Sequence, residues 1–260
     1  LATSAIVSVA AFSATPAFAF VSGTSAGTAL ITDAATLEAN QNVNLFLTTI
    51  GETITVNGNI SDPQTIGDGL GAAITADVGA TTLTIDNAGA TAASTLNVAG
   101  NVQDATNLNL AVTNNATTQD LSVAVDGDLN LGAGTVDVTS SANATDLAVT
   151  GNKTGTGAIT LDGQLGGTAS LTLNGSTAQT VNGTIDAVTA SANTGIVVNN
   201  AEGVTFGGIV GGGQAVESLT VTSGDADFAA AASFSGNVSG AGTMTNQAAV
   251  NVGGNISVAA

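Results

Sequence analysis

Eight short stretches decide the fold: Leu83-Thr84-Ile85, Leu96-Asn97-Val98, Leu108-Asn109-Leu110, Leu121-Ser122-Val123, Val136-Asp137-Val138, Leu147-Ala148-Val149, Ile159-Thr160-Leu161 and Leu171-Thr172-Leu173. Read from Leu83 through Leu96, Leu108, Leu121, Val136, Leu147 and Ile159 to Leu171, one phrase keeps returning at a nearly constant interval. Apolar–polar–apolar alternation puts Leu, Ile and Val on one face of a strand and Thr, Asn, Ser or Asp on the other. Between the strands stand Asp126-Gly127, Asp162-Gly163, Asn174-Gly175 and Asn182-Gly183, dipeptides that tolerate positive φ and mark turns. The same phrase extends outward to Ile54-Thr55-Val56 on one side and to Ile196-Val197-Val198 and Leu219-Thr220-Val221 on the other.

Strands at this spacing fit either a β-solenoid, coil stacked on coil, or antiparallel hairpins in a sandwich or barrel. Three features favour the solenoid. The units are self-similar, without marked long loops. Their apolar residues are small and aliphatic, as a narrow coil interior requires. Asn recurs after the strand, at Asn57, Asn174 and Asn199, where stacked amides would form ladders at the corners. The expected fold is all-β, a right-handed parallel β-solenoid (β-helix) of about 12-residue strand–turn units. With two units per coil, residues 20–260 would make about ten coils, a rod on the order of 50 Å long. Leu108, Leu110, Leu121, Val123, Leu147, Val149, Ile159, Leu161, Leu171 and Leu173 should face inward, and Asn109, Ser122, Thr160 and Thr172 outward.

The composition agrees. Among 260 residues, 43% are hydrophobic but only 3% aromatic and 8% charged, with no Trp or Tyr. Disorder needs low hydrophobicity and many charges, and a helical protein would carry Glu, Lys, Gln and Arg on its wet faces. There are 19 Asp+Glu and a single cation, Lys153, for a net charge of −18; His and Cys are absent. That inventory excludes Ser-His-Asp and Cys-His nucleophile systems, zinc fingers, haem or iron–sulfur ligation and disulfides. It also leaves no surface able to neutralise a run of phosphates, so nucleic acid is not an expected partner, and an anionic membrane would repel the chain.

At the start, Leu1 to Ala11 is an uncharged run of small apolar and hydroxyl residues, followed by Pro16 and Ala17-Phe18-Ala19. An apolar stretch ending in A-x-A reads as a secretory signal peptide, over 1–19, cleaved after Ala19; the basic segment that should precede it is missing, which reads as a chain begun inside a longer precursor. The C-terminus reads as cut within the repeat. Residues 20–48 follow the repeat poorly, with Ala34 to Ala39 (AATLEA) read as a short helix, and form either an N-terminal cap or a post-signal leader. The repeat region proper is 49–260. No second apolar span, lipidation Cys or basic patch follows, so this segment is not expected to insert into a membrane by itself.

With this leader, the absence of Cys, and repeats such as Ile54-Thr55-Val56-Asn57-Gly58-Asn59-Ile60, the stretch Leu171 to Ile185 (LTLNGSTAQTVNGTI) and the stretch Val204 to Gly213 (VTFGGIVGGG), the chain resembles autotransporter passenger domains, closest to the rickettsial-type outer membrane protein B and surface cell antigen group, over about residues 50–260. The resemblance implies export through Sec and display at the outer membrane of a Gram-negative bacterium, with no shared catalytic residues to carry over.

Candidate chemistry is sparse. Asp126, Asp128 and Asn130 place three oxygens at alternate positions with Asp137 beyond, an echo of a calcium loop, yet Leu131 stands where an EF-hand needs Gly, and alternation alone explains a wet strand face. No other cofactor is suggested. Asp225 and Asp227, like Asp126 and Asp128, are carboxylates two apart on one strand face, which a glycosidase would need, but neither pair has Arg, His or an aromatic platform beside it. Gly207-Gly208 and Gly211-Gly212-Gly213 lack a following Lys-Ser/Thr and read as tight turns. The pairs Thr53/Thr55, Thr82/Thr84, Thr220/Thr222 and Thr243/Thr245 suggest an ice-binding array but are too irregularly spaced for one flat face. The expected function is therefore an exported, cell-surface structural or adhesive rod without catalysis, with host or neighbouring cell-surface molecules as partners. A surface-layer subunit is the alternative and a polysaccharide-active β-helix enzyme the remote one; self-association is left open.

Overall fold

Strands of alternating apolar and polar residues bury one face only when another strand covers it, and here the cover is the next turn of the same chain. The computed structural model describes residues 81–259, apart from 88–89, 91, 105–106, 117 and 190–192, together with strands at Thr28–Ile31, Ala35–Leu37, Asn44–Leu47, Glu52–Val56, Gln64–Ile66 and Ala72–Ala76. Among the described residues all pairings between strands are parallel, one isolated antiparallel bridge of Asn107 with Gly132 aside, and the strands fall into three long sheets that run the length of a β-solenoid. One coil illustrates the path: Asn101–Asp104 lies in sheet I, Leu108–Asn114 in sheet II and Leu121–Val125 in sheet III, and Leu129–Asn130 then returns to sheet I beside its predecessor. Sheet I has ten strands and sheet III nine; sheet II has seven and continues through single bridges at Val210 to the pair Ala232–Phe234 and Val250–Val252.

The coil therefore has three sides, where two had been expected. The repeated phrases alternate between sheets II and III: Leu83, Leu108, Val136 and Ile159 lie on sheet II, while Leu96, Leu121, Leu147 and Leu171 lie on sheet III. A third, short strand sits inside what reads as turn. It is only two residues long at Leu129–Asn130 and at Lys153–Thr154. A coil of roughly two phrases is nevertheless right in length: Leu96 pairs with Val123 and Leu147 with Leu171, in each case two phrases further along the chain.

All ten residues expected to face inward are at most 1% exposed, and Asn109, Ser122, Thr160 and Thr172 alternate with them on the outer side. Stacking turns each inward position into a column, such as Leu83–Leu110–Val136–Ile159–Ile185 in sheet II. Each fully buried aliphatic side chain contributes about 1.5–3 kcal/mol, and neighbouring coils supply the cover that no single coil has. Near residue 34 a strand, Ala35–Leu37, pairs in parallel with Ile54 to Val56 where a short helix had been expected. The signal-peptide reading, with Ala17 and Ala19, lies outside the described residues.

Two devices hold the corners. Where sheet I turns into sheet II, Gly134, Gly157, Gly183 and Gly208 stack on successive coils, and at each the carbonyl oxygen of the preceding coil fills the volume a side chain would need, from Leu108, Gly134, Gly157 and Gly183 in turn. Gly183 also has φ +84, a region other residues enter at a cost. Where sheet II ends, the inward alternation continues onto buried polar residues: Ile85 is followed two on by Asn87, Val112 by Asn114, Val138 by Ser140. Asn87 Oδ1 accepts from the backbone N–H groups of Asn115 and Ala116 one coil away, and Asn114 Nδ2 donates to the carbonyls of Gln119 and Ala144. Among the Asn residues expected to ladder, Asn174 and Asn199 are exposed. They directly follow an inward residue, so the pleat turns them out; the buried amide is one place later, as at Asn200.

Candidate functional site

The outward polar residues have structural work across coils. Asn101 Oδ1 accepts from Asp128 N at 2.8 Å, Asp128 Oδ1 from Asn152 N at 2.6 Å and Asn152 Oδ1 from Thr180 N at 2.8 Å, so four successive levels are joined by one staple each. Asp120, Asp186 and Asn237 do the same for Ala144 N, Gly213 N and Asn255 N. A side-chain oxygen here satisfies a backbone donor where the sheet ladder is interrupted at a corner.

This accounts for much of the expected chemistry. Of the calcium candidates, Asp126 is exposed in the turn after sheet III, Asp128 holds Asn152, and Asn130 Oδ1 accepts from Thr154 Oγ1 at 2.6 Å. Two of the three oxygens are thus engaged by the next coil. Asp137 accepts from Thr135 Oγ1 of its own coil at 3.1 Å. No group of three His, Cys, Asp or Glu side chains is arranged to hold a metal among the described residues. In the second carboxylate pair, Asp225 receives Thr243 Oγ1 and Thr245 Oγ1, both at 2.9 Å, and Asp227 Oδ2 receives Gln247 Nε2 at 3.2 Å, while Asp227 Oδ1 is buried without a partner. Asp146 likewise receives Ser170 Oγ and Thr172 Oγ1. The Thr-x-Thr pairs are spread over three faces: Thr82/Thr84 on sheet II, Thr220/Thr222 on sheet III and Thr243/Thr245 on sheet I. Gly208 belongs to the corner column, and Gly213 N is the donor to Asp186.

The one cation has an unexpected place. Lys153 occupies the inward column of sheet I between Leu129 and Val181, in line with Val102 before and Phe206 and Phe228 after, and is 2% exposed. Its Nζ donates to the carbonyl oxygens of Gly155, at 3.5 Å, and Gly157. Burial lowers its pKa from 10.5 to about 8, because the ammonium form loses its water. Further along the column the interior turns aromatic, with Phe206 stacked on Phe228 at 4.9 Å and Phe234 edge-on to Phe228 at 5.9 Å.

A surface groove crosses four levels at the leading corner of sheet III. Thr168, Asn193 to Gly195, Glu217–Ser218 and Gly236–Asn237 line it. Gly195 interrupts the outward row Ser122, Asp146, Ser170, Ser218, and the floor is tied by Glu217 N donating to Thr194 Oγ1 at 3.0 Å. Sequence reasoning did not single these residues out: they lie at strand starts, and their only signal is a Gly inside a strand, at Gly195. No helix among the described residues is long and apolar enough to cross a membrane. The fold and its corner chemistry identify a β-solenoid repeat domain, and comparison with family models, curated proteins and solved structures returns no match.

Proposed function

We propose that this chain is an exported, non-catalytic rod that presents its polar outer faces to host or neighbouring cell-surface molecules, as the passenger segment of an autotransporter-like outer membrane protein. The observation that carries the reading is the in-register stacking of parallel coils whose outward Asp, Asn, Ser and Thr tie each level to the next, which makes a stiff polar scaffold of nearest-neighbour interfaces. The A-x-A leader and the resemblance to the outer membrane protein B and surface cell antigen group support export and display. At a net charge of −18 such a rod stays soluble and does not adhere to acidic polymers. Antibodies raised against the folded rod should label intact producing cells, and brief external protease should remove that label. Antigen found only after lysis, in the cytoplasmic fraction, overturns the proposal.

A further inference from the structure

The groove at the leading corner of sheet III is cleared by two glycines and holds one carboxylate. Gly236 lies against Glu217: a side chain there would meet the Glu217 carbonyl oxygen at 2.7 Å and its Cγ at 3.3 Å. Gly195, one level before, is buried in the floor, and a Cβ there would have one neighbour within 4 Å, Ser218 Oγ at 3.2 Å. Between them stands Glu217, whose carboxylate receives no hydrogen bond among the described residues, whereas Asp120, Asp128, Asp146, Asp186, Asp225 and Asp227 each accept one from the next coil. The rest of the lining is hydroxyl and amide: Thr168, Asn193, Thr194, Ser218 and Asn237.

From this we infer that the groove is a binding site for a primary ammonium group carried on an extended polar chain, with Glu217 as the counter-charge and the Gly195 notch as the seat. The space is about 270 Å³, below the roughly 300–1,000 Å³ of sites that enclose a drug-sized ligand, so it accepts a head group rather than a whole molecule. It runs across four levels, about 14 Å at the spacing of neighbouring strands, which suits a chain lying along the rod. An anionic ligand finds no counter-charge, since Lys153 is enclosed in the interior. The ammonium group is drawn in by the negative field of the whole rod, which raises the local concentration of cations and makes the encounter salt-sensitive. The chemistry is shared by a lysine-bearing peptide and by a glycan of free amino sugars. The inference concerns the groove itself and stands whether or not the rod is displayed on a cell.

The test titrates the intact chain with tri-lysine and with a glucosamine trimer, each beside its N-acetylated counterpart, following amide shifts at Gly195 and Gly236 by NMR. One-to-one binding by an amine-bearing probe, weakened about tenfold or more by acetylation, supports the site; which probe binds identifies the source as peptide or glycan. Glu217→Gln and Gly195→Val should each weaken that binding by a similar factor, whereas Glu202→Gln, which removes an equal charge from an exposed turn, should leave it within about twofold. Gly195→Val is expected to keep the fold: no left-handed φ is required of residue 195, a β-branched residue suits a strand, and the one atom within 4 Å of the added Cβ is the Ser218 hydroxyl, which can rotate away. An unchanged circular dichroism spectrum checks this. Equal binding by the wild type and Gly195→Val would mean general attraction to an acidic surface and would overturn the inference, as would no binding by either amine-bearing probe.

Discussion

The middle and the end of the rod are built from the same repeat and yet differ. In the middle the coils are long, with Leu83 paired to Leu110, Leu96 to Val123 and Val136 to Ile159. At the end the chain returns sooner, and all three sheets agree, through Asp225 with Thr243, Ala232 with Val250 and Val238 with Ile256. Strands shorten on two of the three sides, from seven residues at Leu108–Asn114 to three at Val250–Val252 and from five at Leu121–Val125 to two at Ile256–Ser257, whereas on sheet I they lengthen from two at Leu129–Asn130 to four at Thr243–Asn246. The long coils enclose aliphatic columns with hardly any exposure, whereas Ile256 is 58% exposed and Val250 and Val252 are only partly buried. Within the described residues, Ile256, Val250 and Val252 carry the same inward pattern but have a covering coil on one side only, and that sets their exposure. An inward residue is covered by a neighbour on each side and a corner that closes, and the shorter coils lose residues from corners and from the strands of two sides.

Four substitutions in the middle sharpen this contrast, and a fifth checks its weak end. Gly157→Val sets a side chain where Gly134's carbonyl lies, in the middle of the corner column; about 4 kcal/mol of destabilisation is expected, since neither backbone can retreat without breaking the sheet II ladder. Urea unfolding that moves by less than about 1 kcal/mol would show the column to be incidental. Leu147→Ala should cost about 3 kcal/mol by the same measurement, because it leaves a cavity with coils on both sides.

Lys153→Met tests the polar intruder in the same columns. The folded pKa of about 8 lies below the ordinary 10.5, so the native state binds fewer protons than the unfolded chain between those values, and stability rises with pH across that window. Below pH 8 the buried ammonium weighs against folding in full. Methionine fills similar volume without charge, so a gain of about 2 kcal/mol is expected at pH 7, with the two Gly carbonyls as partial compensation, and that gain should shrink as pH rises from 8 toward 10.5. A gain constant across that range would mean the amine is not desolvated. Asp128→Ala frees the N–H of Asn152 from its staple and should cost about 1 kcal/mol, read as faster amide exchange at Asn152 with the rest of the rod unchanged. The smallest effect belongs to the far end, where Ile256→Ala should cost under about 0.5 kcal/mol; a loss as large as that of Leu147→Ala would erase the distinction between middle and end.

Much of this molecule follows from its sequence alone. A phrase of alternating Leu, Ile or Val with Thr, Asn or Ser makes a strand with one dry face, and its steady return, without helix formers or marked loops, requires that each dry face be covered by the next copy. Hence the all-β class, the parallel stacking, the coil of about two phrases and the inward set from Leu108 to Leu173. The third side was not legible, because strands such as Leu129–Asn130 and Lys153–Thr154 are too short for alternation to register, and in the second the inward residue is a Lys, which reads as solvent-facing. Nor were the corner roles of Gly134, Gly157, Gly183 and Gly208, or of Asn87 and Asn114, since these depend on which atoms of the preceding or following coil lie above or below a residue. The same holds for the groove at Gly195 and Glu217, whose lining joins residues from Thr168 to Asn237. Local pattern is set by the pleat and is written along the chain; contacts between one coil and the next exist only once the coils have stacked, and they decided where the corners close, where the lone cation sits and where the rod has a hollow.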